Sequence, residues 1–225
     1  DLRAALRDPN ISAPVASQIY RVQIVSKLAF NFVHGLINLT QTPMNTWPLL
    51  GSKYTGKGLF YLLNPDEMLH GQSARSLLHE SGISRDLAKV EEFISTQGAR
   101  GLLKATQEIA LAPSRLSEQF NRRVAFFGAY NKYRDEGLAH LEALGKAREL
   151  VNRTQFSFNR LGTPKLLRSP MLRLLLMFKS YPIHQVNFSA ELIDDALRGQ
   201  VGPLARHVMA YLVLGGLASY GALKY

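Results

Sequence analysis

Residues 114–137 read SRLSEQFNRRVAFFGAYNKYRDEG. Ser114 opens a helix here, and Leu116, Phe120, Val124, Phe127 and Tyr130 recur at spacings of three and four, so they share one helical stripe. Gly137 stops it. The same period continues in both directions. Upstream, Ser12 and Pro14 open a helix with Val15, Ile19, Val22, Val25, Ala29, Phe32 and Leu36 on its stripe. Gln41-Thr42-Pro43 ends that helix, because the residue before a proline avoids helical dihedrals. Asn64-Pro65-Asp66-Glu67 carries the marks of a helix start: a capping Asn, a Pro for the first turn and two acids at the positive dipole end. Ser81-Gly82 closes it, Ser84 caps a helix to Gln97-Gly98, and a short helix reaches Ala112-Pro113. Downstream, residues 138–155 are amphipathic. Ser169-Pro170 starts a long helix toward Gly199, with a hinge or fixed kink at Pro182, and the last helix begins near Pro203.

Nowhere do about four to eight residues alternate with β-branched enrichment and hairpin signals. The expected class is all-α: an irregular multi-helix array with a long kinked helix near the C-terminus and no β-sheet. Residues 43–58 hold two prolines and three glycines and read as an irregular connector. Charge divides the chain into a helical part, 1–112, and a basic helical part with an apolar C-terminal helix, 113–225, or leaves it one continuous domain. The chain opens on Asp1 and closes on Tyr225 straight after an apolar run, as expected of a segment of a longer polypeptide.

Composition limits the chemistry. Of 225 residues, 46% are apolar and 20% charged, so the chain can build a core. Cysteine is absent, which excludes disulfides, thiolate zinc sites, iron–sulfur clusters and thiol catalysis. No two of the six histidines lie three or four apart, so no helical metal pair is expected, and no cofactor motif appears. Three Asn-x-Ser/Thr sequons read as chance in a chain without cysteine.

Two catalytic-looking motifs fail on their chemistry. Residues 51–58, GSKYTGKG, approach a phosphate-binding loop, but Gly58 replaces the hydroxyl that would hold magnesium, and no buried strand precedes them. They read as a basic glycine-rich turn whose Lys53 and Lys57 can still touch a phosphate. Residues 95–103, STQGARGLL, resemble a stretch of lytic transglycosylases, which cleave peptidoglycan. The acid that cleavage needs is misplaced: Asp86 occupies its position, and the only Glu-Ser pair is Glu80-Ser81. A transglycosylase is thus the weaker alternative, and no catalytic residue is assigned.

The net charge of +10 and a pI near 9.9 point to polyanions. Residues 113–180 hold 13 Lys or Arg against five acids, and so carry +8 of that charge, with aromatics interleaved. Arg122, Arg123, Lys132, Arg134, Arg153, Arg160, Lys165 and Arg168 are the candidate contacts for non-specific DNA binding. The competing reading is a solvated face over an aromatic core. Residues 207–223 contain no Asp, Glu, Lys or Arg, the lower limit for a membrane span, so residues 207–225 read as a buried helix or a host-membrane element.

Asn121-Arg122, Ala129-Tyr130-Asn131-Lys132-Tyr133, Glu136-Gly137, the block from Thr154 to Arg160, Leu167-Arg168-Ser169-Pro170 and Phe178-Lys179-Ser180-Tyr181-Pro182 follow one another in order, with Asn38-Leu39-Thr40-Gln41-Thr42-Pro43 upstream. This succession resembles a helical domain of giant polyvalent or internal virion (ejection) proteins of tailed bacteriophages, over roughly residues 38–215. The resemblance implies a non-enzymatic structural segment, packaged in the capsid interior and delivered to the host envelope with the genome as part of an oligomeric DNA-translocation conduit. Its implied partners are further copies of itself, other virion proteins and DNA. A non-specific nucleic-acid-binding module of a mobile-element protein is the alternative. No active-site residue transfers.

Overall fold

A computed structural model describes residues 38–83, 102–155 and 180–222. Its elements, in order, are a π-helical segment (Thr42–Thr46), α1 (Trp47–Leu63), β1 (Met68–Leu69), β2 (Gln72–Ser73), α2 (Ala74–Ser81), α3 (Leu102–Asp135), α4 (His140–Thr154), α5 (Ser180–Leu197) and α6 (Val201–Ala222). Among the described residues the class is all-α, and the one departure is the two-residue pairing of β1 with β2. His70 and Gly71 both adopt positive φ there, as a two-residue hairpin turn requires. Alternation is unreadable in strands two residues long.

α3 is the centre of the core. From Val124 to Asn131 it is buried on every side, so the stripe that begins with exposed Leu116 disappears into a fully enclosed stretch. Phe126, Phe127 and Tyr130 pack with Leu50 of α1, Leu69 of the hairpin, Leu77 of α2 and Ala147 and Val151 of α4. One cluster thus takes residues from both sides of 112/113, and α3 itself runs through that point. Pro113 interrupts the expected pair of helices only in sequence. It deletes one ladder bond, while the burial of the turns beyond it fixes the helix.

Three other boundaries differ from expectation. Gln41-Thr42-Pro43 does not end a helix: Gln41 keeps helical dihedrals and leads straight into the π-helical segment. Residues 43–58 are helical rather than a connector: Pro43 and Pro48 sit at first-turn positions, where a missing N–H costs nothing, and only Gly51 leaves helical dihedrals (φ 71°, ψ 174°). Gly58 instead marks where α1 crosses α3 beside Gly128. Asn64-Pro65-Asp66-Glu67 does not start a helix. Asn64 ends α1, Glu67 N–H closes a turn onto the Asn64 carbonyl (3.2 Å), and the Pro65 and Glu67 carbonyls accept from Arg75 and Ala74 (2.8 and 3.0 Å). α2 therefore begins at Ala74, capped by Ser73, which brings Ala74 and Leu77 into the core. Glycines in the left-handed region end the helices at Gly82, Gly137 and Gly199, as the sequence indicates. The expected helices at 15–36 and 84–97, and the stretch from Ser169 to Lys179, lie outside the described residues; Pro182 is the third residue of the described α5.

Candidate functional site beneath the C-terminal hairpin

α5 and α6 form an antiparallel hairpin. Ser189 meets His207 and Leu192 clusters with Leu204, pairs placed symmetrically about the turn. The apolar contact that seats this hairpin is small: Phe188 and Leu192, with Leu49 and Leu204. Among the described residues, polar groups also join it to the body. The Gln185 Nε2 donates to Asn45 Oδ1 (2.9 Å), and Asn45 Nδ2 donates to the Thr154 carbonyl (3.1 Å). Within the body, Gln155 Nε2 donates to Thr46 Oγ1 (3.3 Å) and Thr42 Oγ1 donates to Asn121 (2.7 Å), which ties the π-helical segment to the end of α4 and to α3. Arg206 donates twice to the Pro48 carbonyl (2.9 and 2.6 Å), beside the kink at Gly51 where the helical ladder is interrupted. On the rim, Arg153 of α4 holds Glu191 and Asp195 of α5 (3.0 and 2.9 Å).

The π-helical segment makes this seam. Its wider turn, closed by Trp47 N–H onto the Thr42 carbonyl, places Asn45 and Thr46 inward together, and both are fully buried. The seam is incompletely satisfied: Oε1 of Gln155 and Oε1 of Gln185 are buried without a hydrogen-bond partner, each a desolvation cost of about 1–3 kcal/mol.

His207 is its titratable member. The Met44 carbonyl can only accept, so Nδ1 carries the proton (2.7 Å). The neutral ring then offers Nε2 to the Ser189 hydroxyl at 3.0 Å; that hydroxyl's single proton otherwise goes to the Gln185 carbonyl at 2.9 Å. Burial holds the His207 pKa below its ordinary value, against the Met44 carbonyl, which raises it. A depressed histidine makes the unfolded chain the better proton acceptor, so stability is full at neutral pH and falls as pH drops below about 6.5. His70 and His184, both lowered mainly by burial, act with the same sign. Thermal melts at pH 7.5 and 5.0 check this: the midpoint should fall at pH 5.0, and the fall should shrink in His207→Gln.

A second polar chain lies across the core. Glu80 accepts from His140 Nε2 (2.9 Å), which fixes the tautomer and leaves Nδ1 to accept the Tyr130 hydroxyl (2.9 Å). This carboxylate–imidazole–phenol order resembles that of an activated tyrosine. Tyr130 is only 1% exposed, however, and burial raises its pKa, so the phenol stays protonated and the chain pins α2 and α4 to α3. Glu80, the one candidate acid within the described residues, is committed to this pin. Asp86 and most of residues 95–103 lie outside them.

The candidate polyanion contacts are separated by their partners. Arg122 is buried and paired with Glu118 (3.0 Å). Arg134 donates to the Leu138 carbonyl (2.7 Å), and Arg153 ties α4 to α5. Lys132 lies over the Tyr133 ring, and Arg123 keeps a buried Nε without a partner. Arg160, Lys165 and Arg168 lie outside the described residues. Lys53 and Lys57 both reach Asp135 (3.3 and 3.1 Å). Burial opposes ionisation of Asp135, but these two ammonium groups outweigh it and hold the carboxyl below its ordinary value. The glycine-rich stretch is thus a helix with its lysines turned to α3. Among the described residues no His, Asp or Glu cluster could hold a metal ion, and no helix is long and apolar enough to cross a membrane.

Sequence reading missed Asn45, Gln185, Ser189 and His207. The usable signal was the i, i+4 placement of Gln185 and Ser189 on the face of Phe188 and Leu192, which the Asn187-Phe188-Ser189 sequon obscured. Comparison with protein families, curated proteins and solved structures finds no match to this chain.

Proposed function

We propose that this chain is a non-catalytic assembly segment of a bacteriophage internal virion protein, carried in the capsid and delivered to the host during genome ejection. The observation that carries this reading is the construction of the α5–α6 hairpin. Hydrogen bonds and a two-residue apolar cluster seat it on the body, while a large apolar surface faces outward. Such a joint separates at lower cost than a packed core, because water can replace its hydrogen bonds, and each helix keeps its own backbone ladder. A protein that is packed, ejected and reassembled needs a joint of this kind. The succession of sequence blocks from Asn38 to Pro182 supports the viral context, and the absence of cysteine suits passage through a narrow portal. Mass spectrometry of purified particles from a phage encoding this sequence tests it. Peptides of the chain should be recovered at several copies per particle; their absence would overturn the reading.

A further inference from the structure

The outward face of the hairpin has a regular pattern. On α5, Val186, Ala190, Ile193 and Leu197 are exposed at spacings of four, three and four. On α6, Val201, Ala205, Val208 and Leu212 are exposed at the same spacings. This is the a/d seam of a heptad. Val186, Leu197 and Leu212 are 67%, 82% and 71% exposed, and they lie in one continuous apolar patch rather than scattered singly.

Both seams point the same way. On α5, Glu191 and Asp195 face the body through Arg153, Gln185 faces it through Asn45, and Ser189 faces α6. At about 100° per residue, the exposed seam lies opposite the body-facing pair. On α6, Arg206 and His207 both reach the body, at the Pro48 and Met44 carbonyls, and His207 also meets Ser189 of α5, which again leaves the seam opposite the body. The result is an apolar layer two helices wide, without a charge inside it.

We propose that a second copy of this chain covers this layer, hairpin on hairpin, to form a four-helix assembly. The proposal starts from the assembly reading above and names its partner. Charge selects that partner. Residues 180–222 hold three acids and two bases in a chain whose net charge is +10, so this face attracts neither nucleic acid nor an anionic lipid surface. The rim of α5 carries both signs, Asp194 and Arg198, paired at 2.6 Å, and a copy related by a two-fold axis presents the same pair reversed. Ala190 and Ala205 leave room for close approach of the facing helices. A layer of about 20 by 17 Å is small beside a standard interface, which sets a weak, concentration-dependent dimer.

Sedimentation equilibrium of the full chain tests this in solution, independently of whether particles carry the protein. Dimer should accumulate with concentration, and Ile193→Glu with Val208→Glu should weaken it by roughly a hundredfold or more, because each copy would bury two unpaired charges. Both positions are exposed, so the monomer should keep its circular dichroism and melting midpoint. The cysteine-free chain allows a check that does not depend on charge. A short bis-maleimide should link Ala205→Cys into covalent dimers and leave Arg148→Cys, on the exposed side of α4, monomeric. A chain that is monomeric at every concentration overturns the proposal. So does a dimer that survives both glutamates, or co-sedimentation with phosphatidylcholine vesicles that both glutamates abolish.

Discussion

Gly58→Ala should destabilise the protein by about 2–4 kcal/mol, while Gly56→Ala, two residues earlier in the same helix, should stabilise it by about 0.5–1 kcal/mol. The contrast follows from what each new methyl would meet. At Gly56 a Cβ has open space, and alanine removes the entropy that glycine loses in a helix. At Gly58 the Cβ would run into the Val124 carbonyl oxygen, with the Gly128 nitrogen at 3.2 Å. Those are backbone atoms of α3, and no rotamer change moves them aside. α1 and α3 must separate, which loosens the close packing of Leu50 and Phe127 along the crossing. Gly128→Ala should cost a similar amount, since its Cβ would lie 2.6 Å from the Tyr54 carbonyl and 2.7 Å from Leu50 Cδ1. The double variant should cost less than the sum, because helices already separated for one methyl accommodate the second. Urea titration measures all four. Equal midpoints for Gly56→Ala and Gly58→Ala would show that the crossing is not close-packed.

These two glycines also mark where sequence reading stops. A glycine that lets two helices touch and a glycine that turns a loop are the same letter, and residues 43–58 contain both: Gly51 turns the chain and Gly58 touches α3. Helix ends were legible where a glycine stands in the left-handed region after the last periodic residue, at Gly82, Gly137 and Gly199. The start at Asn64 misled because a local capping pattern competes with the next apolar residue that needs the core, and burial of Leu69 and Leu77 outweighs the cap. The basic segment was legible as charge and illegible as surface. Arg122 and Arg153 find carboxylates four residues away and on another helix, and the second kind of partner has no local signature. The seam was the least legible of all. Asn45, Gln185 and His207 are brought together from three elements, and each taken singly is an ordinary polar residue.

Asn45→Ala should therefore have the largest effect of any change in the seam, a loss of about 2–4 kcal/mol concentrated in the docking of the hairpin. Asn45 is fully buried and uses both ends of its amide, accepting from Gln185 of α5 and donating to the last turn of α4. Alanine leaves the Gln185 amide and the Thr154 carbonyl buried without partners. Amide exchange should accelerate across α5 and α6, while α3, enclosed by the main core, keeps its protection. Asn45→Asp separates the role of hydrogen bonding from that of shape. The aspartate still accepts from Gln185, but an ionised oxygen then faces the Thr154 carbonyl. Burial raises the pKa of such a carboxyl above about 3.9, and the protonated form donates to that carbonyl as asparagine does. A folded-state pKa raised in this way gives stability that is present at low pH and lost as pH rises through it, opposite in sign to the effect of His207. Asn45→Asp should thus approach the wild-type melting midpoint near pH 5 and fall furthest below it near pH 7.5. A variant equally stable at both values, or an Asn45→Ala hairpin that exchanges no faster than the wild type, would mean that apolar packing of Phe188 and Leu192 alone holds the hairpin in place.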